Sequence, residues 1–586
     1  MFFVEIPSRP PQHPHCRGHI FLIIRQYLPQ KSRATCGLAF ATILFYPMKK
    51  KLLLIALLVF GAIWGAMPAL AQVDTEFWFV APEVFQGHGD RPIQLRVATL
   101  DEGATVEVSM PANSGFAPLR ATIAANSLQV FDLTSFIDQI ENRPANTVLN
   151  KGLRITSSAP ITAYYEVNTS CLCNPDIFPL KGKNALGTEF FVIAQNHWRN
   201  AFGTSSFDIV ATEDGTQVTI TPSKSIVGRA AGQSFTITLN KGETYSAEAT
   251  GTNPEDHLGG SRVTSNKPIA ITLKDDSLQS AEYGICADLM GEQMVPVGLA
   301  GDEYIVMKGS LNGADRVFVL ATQNGTQVTV AGNNVATINA GETFTTTITA
   351  ATTYITTSKP THVLHITGFG CEVGGSILPS VKCTGSEQVS FVRSTNELFK
   401  LNLMVKAIHV GGFSIGGAAF PAGSFSPVPN TNGEWVSAQL SSLNVGVGTQ
   451  TIITNSQGRF HLGIINGGAS TGCRYGYFSS YSRFAFSIAG DPEVCPGQTI
   501  SLQADAIEGA VYQWTGPNNF SSTNASINIP NAQQANAGAY TVSGSVEGCE
   551  TAPATVNVQV LNQPTPTVSI SPSSPNLCVG ESVTLT

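Results

Sequence analysis

Three phrases recur in a fixed order along this chain, and no other feature limits its folding so tightly. Thr75-Glu76-Phe77-Trp78-Phe79-Val80 returns as TEFFV from Thr188, as DEYIV from Asp302 and faintly as Glu397-Leu398-Phe399. ATLDEGATVEV from Ala98 returns as ATEDGTQVTIT from Ala211 and as ATQNGTQVTVA from Ala321. ITSSAPITAYYE, ending at Glu166, returns as VTSNKPIAITLK, ending at Lys274, and as ITTSKPTHVLHI, ending at Ile366. The period is about 110 residues. Three good copies and one degraded copy therefore cover 73–485, with boundaries near 73–187, 188–301, 302–396 and 397–485.

Each copy reads as about seven short strands. In the second they are FFVIA, SFDIVAT, TQVTITP, SFTITLN, TYSAEAT, SRVTS and IAITLK. Within Thr216–Ile220, Val218 and Ile220 share one face while the threonines take the other, the period of a half-buried strand. Asp214-Gly215 and Asn324-Gly325 stand between two such strands, a hairpin signal because both residues of each pair accept positive φ. The expected fold class is all-β: tandem sandwich-like units, with a propeller-like arrangement of this first region as the alternative. Charged residues make up only 13% of the chain, and Thr, Ser, Asn and 55 glycines fill their place, which excludes long coiled coils and helical bundles. A net charge of -8 also argues against a nucleic-acid binder that relies on phosphate neutralisation.

The amino-terminal stretch is of another kind. Lys49-Lys50-Lys51, the apolar run Leu52–Trp64 and Ala69-Leu70-Ala71 before Gln72 form a signal peptide over 48–71, with cleavage expected between Ala71 and Gln72. The apolar run is shorter than the ~18–20 residues of a membrane span and is followed by Pro68. Met48 is then the expected start, and 1–47, basic and proline-rich, an upstream extension. Export predicts an extracellular or cell-surface protein with paired cysteines and no transmembrane span in the mature chain.

A different pattern occupies 488–561. Cys495-Pro-Gly-Gln-Thr-Ile-Ser-Leu502, Val511-Tyr-Gln-Trp514, Asn536-Ala-Gly-Ala-Tyr540-Thr-Val542 and Cys549 follow in order. This resembles an immunoglobulin-like sandwich, with Trp514 as its core residue and Tyr540 as its tyrosine corner. Leu502 and Val542 stand where antibody domains carry cysteines. Cys495 and Cys549 would instead close the domain from one end, as in bacterial Ig-like and PKD-like surface modules. After a linker at Gln563–Thr567, Cys578-Val-Gly-Glu-Ser-Val-Thr-Leu585 repeats the opening phrase, so 562–586 reads as a linker and the truncated start of a second repeat. Of the remaining cysteines, Cys171, Cys173, Cys286, Cys371, Cys383 and Cys473 are disulfide candidates for the four-copy region. Six cysteines allow fifteen pairings, and Cys371–Cys383, closing a short loop, is one candidate bond.

Several constellations invite chemical readings. Gly412-Phe413-Ser414-Ile415-Gly416 has nucleophile-elbow spacing, but the sequel GAAFPAGSFSPVP cannot be the helix an elbow requires, so a glycine-rich hairpin is expected. His362 and His365, three apart on a strand, face opposite sides and cannot share a metal. Asp275-Asp276 follows a strand, and Asp176 and Asp288 recur at the same point, the one place where calcium enters as a candidate cofactor. Trp198 and Tyr475-Gly476-Tyr477-Phe478 offer aromatic faces for sugars or, equally, for a core. No catalytic, cofactor or metal residue is assigned.

The repeated region is similar to the amino-terminal IgGFc-binding domain family, found in a vertebrate mucus protein and in bacterial secreted proteins. The residues that carry the likeness are GTEFFV (Gly187 to Val192), ATEDGTQVTI (Ala211 to Ile220), RVTSNKPIAI (Arg262 to Ile271) and DLMGEQMVPV (Asp288 to Val297). The resemblance implies a non-enzymatic extracellular binding or adhesion module, with a glycoprotein, mucin or polysaccharide ligand. Its name adds the Fc region of IgG, with no contact residue to carry over. It also implies a bacterial surface protein with further Ig-like repeats and a carboxy-terminal type IX sorting domain. The rival expectations are an accessory region of a secreted hydrolase and a purely structural stalk.

Overall fold

The computed structural model describes residues 72–561, apart from 89, 168–173, 421, 442–444, 483–485, 506, 508–509, 547–548 and 552, together with Ile570–Ser571 and Thr584–Leu585. The signal peptide, the upstream extension, Cys171, Cys173 and Cys578 lie outside these residues. Two compact parts divide the chain between Arg483 and Phe484.

In the first part each of the first three repeats is built on one long strand: β1 (Gly152–Val167), β3 (Arg262–Gln279) and β5 (Thr352–Gly370). After each comes a short strand: β2 (Asp176–Pro179), β4 (Ala287–Gln293) and β6 (Glu372–Ile377). The segments expected as two strands, SRVTS and IAITLK, are thus the two halves of β3. Each half pairs with its own set of strands and lies in its own layer of one continuous sheet. Ile155, in the first half of β1, lies between Phe77 and Val108, whereas Tyr165, in the second half, lies between Leu95 and Phe178. In β3 Val263 lies between Phe190 and Ile220, and Thr272 between Asp208 and Gln293. The repeats are therefore two-layered sandwiches that share a strand.

The third sequence phrase is the hinge of that strand. Pro160, Pro268 and Pro360 supply no N–H, so the ladder is interrupted there. A hydroxyl spans each bend: Ser157 Oγ donates to the Ala159 carbonyl (2.6 Å), Ser265 Oγ to Lys267 (2.6 Å) and Thr357 Oγ1 to Lys359 (2.8 Å). The next side chain accepts from the neighbouring strand: Ser158 from Thr105 N–H, Asn266 from Gln217 and Ser358 from Gln327. Small polar residues before proline are therefore the chemistry of a corner. In the fourth repeat, residues 456–459 break the strand into Gln450–Asn455 and β7 (Phe460–Gly467), and its two layers share no strand.

A further short strand, β8 (Cys473–Tyr477), follows β7. The four short strands pack in succession, β2 on β4, β4 on β6, β6 on β8 and β8 on β2, so the repeats close into a ring. Glycine makes the approach possible. A Cβ on Gly291 would stand 1.9 Å from Phe178 Cζ, one on Gly375 2.1 Å from Met290 Sδ, and one on Gly476 2.7 Å from Pro179 Cγ. Closure is polar as well: Glu166 accepts from Arg96 Nε (2.6 Å) in its own repeat and from Arg474 Nε (2.9 Å) in the fourth. At the first described residue, Gln72 Nε2 donates to the carbonyls of Tyr477 (2.7 Å) and Ser479 (3.1 Å).

The ring also corrects the cysteine pairing. Cys371 is bonded to Cys286, not to Cys383, because β4 and β6 are neighbours and their starting ends meet. Cys383 is itself disulfide-bonded, and Cys473, a disulfide candidate in the sequence, is a buried free thiol. The second part is a separate two-sheet sandwich. Its Trp514 is buried with Nε1 donating to the Asn524 carbonyl, and Tyr540 OH donates to the Asn536 carbonyl (3.0 Å). Cys495 and Cys549 are both disulfide-bonded.

Close packing of the inner strands predicts the outcome of two substitutions. Gly291→Ala should cost roughly 3 kcal/mol in urea unfolding, because Phe178 has no room to yield. Gly298→Ala, with nothing within 4 Å of its added Cβ, should stay within about 0.5 kcal/mol.

Candidate functional site

Two clefts open between consecutive repeats. The first, about 560 Å³, lies between repeats 2 and 3 and is lined by Asn196, Ser223, Lys224, Glu255, His257 and Thr343, among others. The backbones touch there: a Cβ on Gly260 would stand 2.4 Å from the Gly341 carbonyl oxygen. Thr345 Oγ1 also donates to Asn196 Oδ1 across the junction (3.1 Å).

His257 lines this cleft but works inward. It follows the short turn Pro254–Asp256, which Asn253 and Asp256 cap reciprocally. Its Nδ1 meets the carbonyls of Asn253 and Pro254, and its Nε2 meets Asp275 Oδ1 (3.1 Å) and the Gln195 side chain (2.7 Å). With both ring nitrogens engaged, His257 presents no base to the cleft. Asp275 also accepts from Asn200 Nδ2 (2.5 Å) and Gln195 Nε2 (2.9 Å). Burial works against charge on the imidazole, but the Asp275 carboxylate outweighs it and holds His257 above its ordinary value. Burial likewise opposes ionisation of Asp275, yet His257 and the amide donors hold it below the usual carboxylate range. Sequence reading missed His257, Gln195 and Asn200, which precede Asp275 by different intervals and share no spacing pattern.

The second cleft, about 730 Å³, lies between repeats 3 and 4. Its wall is the start of the strand Leu398–Lys406 with the residues before it, and facing them are Ser310, Phe369 and the Gly468–Thr471 loop. Arg393 is fixed by donation to the carbonyls of Thr395 (2.9 Å) and Glu397 (2.5 Å) and lies over the Phe399 ring. Glu397 accepts from the hydroxyls of Thr395 and Thr471. Lys400 Nζ donates to Gln439 Oε1 (2.8 Å), and burial lowers its pKa. Leu398 is 54% exposed at the rim. Rigid charges, hydroxyls and one apolar contact equip this cleft for hydrogen-bonded recognition of a polar ligand.

The residues singled out in the sequence are mostly structural. Ser414 pairs with Ala419 in a hairpin turning at Gly416-Gly417, both at positive φ, so the elbow spacing belongs to a turn. His365 is buried between Asp315 Oδ2 (3.1 Å) and Tyr475 OH (2.9 Å), and burial pushes His362 down to about 4. Asp176 accepts from the N–H groups of Ile177 and Gly291, and Asp276 from that of Phe85, so these carboxylates are buried acceptors rather than loop tips. Asp288 is buried on β4 with one oxygen accepting from Val373 N–H. Trp198, Tyr475, Tyr477 and Phe478 are all buried, which places them in the core and not on a sugar-binding face.

These features can be set beside known proteins. Residues 178–466 match the model of the IgGFc binding protein family. The match begins within β2 and ends within β7, so it spans the second and third repeats and both clefts' principal walls. No curated protein matches. Among solved structures, the amphioxus IgVJ-C2 molecule is 15% identical over 30% of this chain and 97% of its own, with a TM-score of 0.13. The eight amino-terminal Ig domains of Down Syndrome Cell Adhesion Molecule are 10% identical over 87% of this chain and 74% of theirs, with a TM-score of 0.15. Chicken CNTN1 FN1-FN3 is 10% identical over 45% and 99%, with a TM-score of 0.10. At such TM-scores the likeness carries no argument. Among the described residues, no helix is long and apolar enough to cross a membrane.

The buried ion pair yields a pH prediction. Asp275 stabilises the fold above the ordinary carboxylate value and loses that contribution as pH falls through its lowered folded value. His257 stabilises it below the ordinary imidazole value and loses the contribution as pH rises through its raised one. Their joint effect is greatest between roughly pH 4 and 6.5. Asp275→Asn should therefore cost about 3 kcal/mol at pH 6, and less at pH 2.5 and pH 9, in urea unfolding. A cost that does not change with pH would show the contact to be uncharged.

Proposed function

We propose that this chain is an extracellular, non-enzymatic binding protein that takes a glycoprotein, mucin or polysaccharide ligand in the cleft between repeats 3 and 4. The observation that carries the reading is the match of 178–466 to the IgGFc binding protein family, over a ring whose wider cleft is lined by pre-positioned Arg393, Glu397 and Lys400. Held side chains lose little freedom when a ligand arrives, so modest polar contacts yield net affinity. Export through the segment 48–71 belongs to the proposal, as does display on an array of Ig-like sandwiches. The name of the family makes the Fc region of IgG a ligand worth testing, with no contact residues implied.

The test presents the chain from Gln72 to arrays of glycans, mucins and serum proteins. One ligand class should be retained, and Leu398→Asp combined with Lys400→Gln should weaken it about tenfold, or ~1.4 kcal/mol. Both side chains lie at the cleft without crossing the core, so the thermal melt should hardly move. Retention of no class would leave a structural stalk, and unchanged affinity in the variant would move the ligand elsewhere on the ring.

A further inference from the structure

The junction of repeats 2 and 3 holds more ligating atoms than its disulfide uses. The sulfurs of Cys286 and Cys371 and a carboxylate oxygen of Glu372 all lie within 4.8 Å of one another. The cysteines are half-buried and reachable from solvent, while Glu372 is buried beneath them. Beside them stands Asp288 of β4, 1% exposed. Its Oδ2 accepts from Val373 N–H (2.9 Å), but its Oδ1 receives no donor hydrogen bond. A buried carboxylate oxygen without a donor is costly unless something positive meets it.

We propose that, when Cys286–Cys371 is reduced, this junction is a tetrahedral site for a zinc-class divalent cation, with the two thiolates and Glu372 as protein ligands, a water in the fourth position and the carboxylate of Asp288 in the shell behind them. Zinc binds thiolate at about 2.3 Å and carboxylate at about 2.0–2.2 Å, which places neighbouring donor atoms roughly 3.3–3.8 Å apart. The observed cluster needs only side-chain adjustment to reach that spacing, since the Cα atoms of the cysteines are already 5.7 Å apart. Two thiolates select a soft or borderline cation over calcium or magnesium.

The chemistry balances with a named reductant. A phosphine gives two electrons to the disulfide and takes oxygen from water as the phosphine oxide, and the two protons of that water go to the sulfurs. Both thiol protons leave when the cation binds. The junction thus has two closed states, one covalent and one ligated, and both hold β4 against β6. The proposal is independent of the ligand cleft.

The experiment uses the whole chain, reduced with a phosphine and titrated with Co²⁺ and then Zn²⁺. The comparison is the Cys286→Ser, Cys371→Ser double variant, which keeps every other thiol. The reduced native chain should take up one equivalent of Co²⁺ more than the variant, with thiolate-to-cobalt charge transfer and a tetrahedral visible spectrum, and Zn²⁺ should displace it. Asp288→Asn should weaken Zn²⁺ about tenfold or more. Oxidised protein should show none of this. Equal stoichiometry in the two proteins, an octahedral spectrum, or unchanged affinity in Asp288→Asn would overturn the proposal. So would loss of β circular dichroism on reduction that Zn²⁺ does not restore.

Discussion

In three of the four repeats of the ring, everything depends on one long strand that pairs with two sets of neighbours. A strand that turns at proline forfeits ladder hydrogen bonds, and the hydroxyls of Ser157, Ser265 and Thr357 replace them locally. Because the turn is held, the second half of each long strand can carry a short partner strand toward the axis. The fourth repeat shows what happens without it: its layers separate, and residues 456–459 take over the reversal.

The axis then imposes its own chemistry. Inner strands that take a neighbour's side chain directly against their backbone must present glycine there, and their buried edges need acceptors for stray N–H groups. Asp176 and Asp288 serve that need, receiving Gly291 and Val373 from the next strand around the ring. Asp176, Asp276 and Asp288, which read in sequence as candidate calcium ligands, thus also join neighbouring repeats. Glu166, held between Arg96 and Arg474, does the same between the first repeat and the last.

Much of this was legible in the chain itself, and the reason is locality. Alternation in Thr216–Ile220, the turn at Asp214-Gly215 and the phrase before each proline all act over a few residues, so the fold class could be read. The Trp514 and Tyr540 positions were likewise set by short spacing to their strands. Cysteine pairing was not legible, because Cys286 meets Cys371 only once β4 and β6 are neighbours. The same holds for Gln195, Asn200 and His257 around Asp275, and for the clefts, which exist only between assembled repeats. That β3 is one strand was hidden by Pro268, which in sequence looks like an end.

Closure has a consequence for how such an array can change. An open solenoid gains or loses a module at its end with little penalty, since each module touches only its neighbours. Here Gln72, the first described residue, is anchored on carbonyls more than four hundred positions downstream. A fifth module placed between the fourth repeat and the first would separate Gln72 from Tyr477 and Glu166 from Arg474 at once. Copy number is therefore locked by geometry, and diversification is left to the loops and to whatever modules are strung on behind.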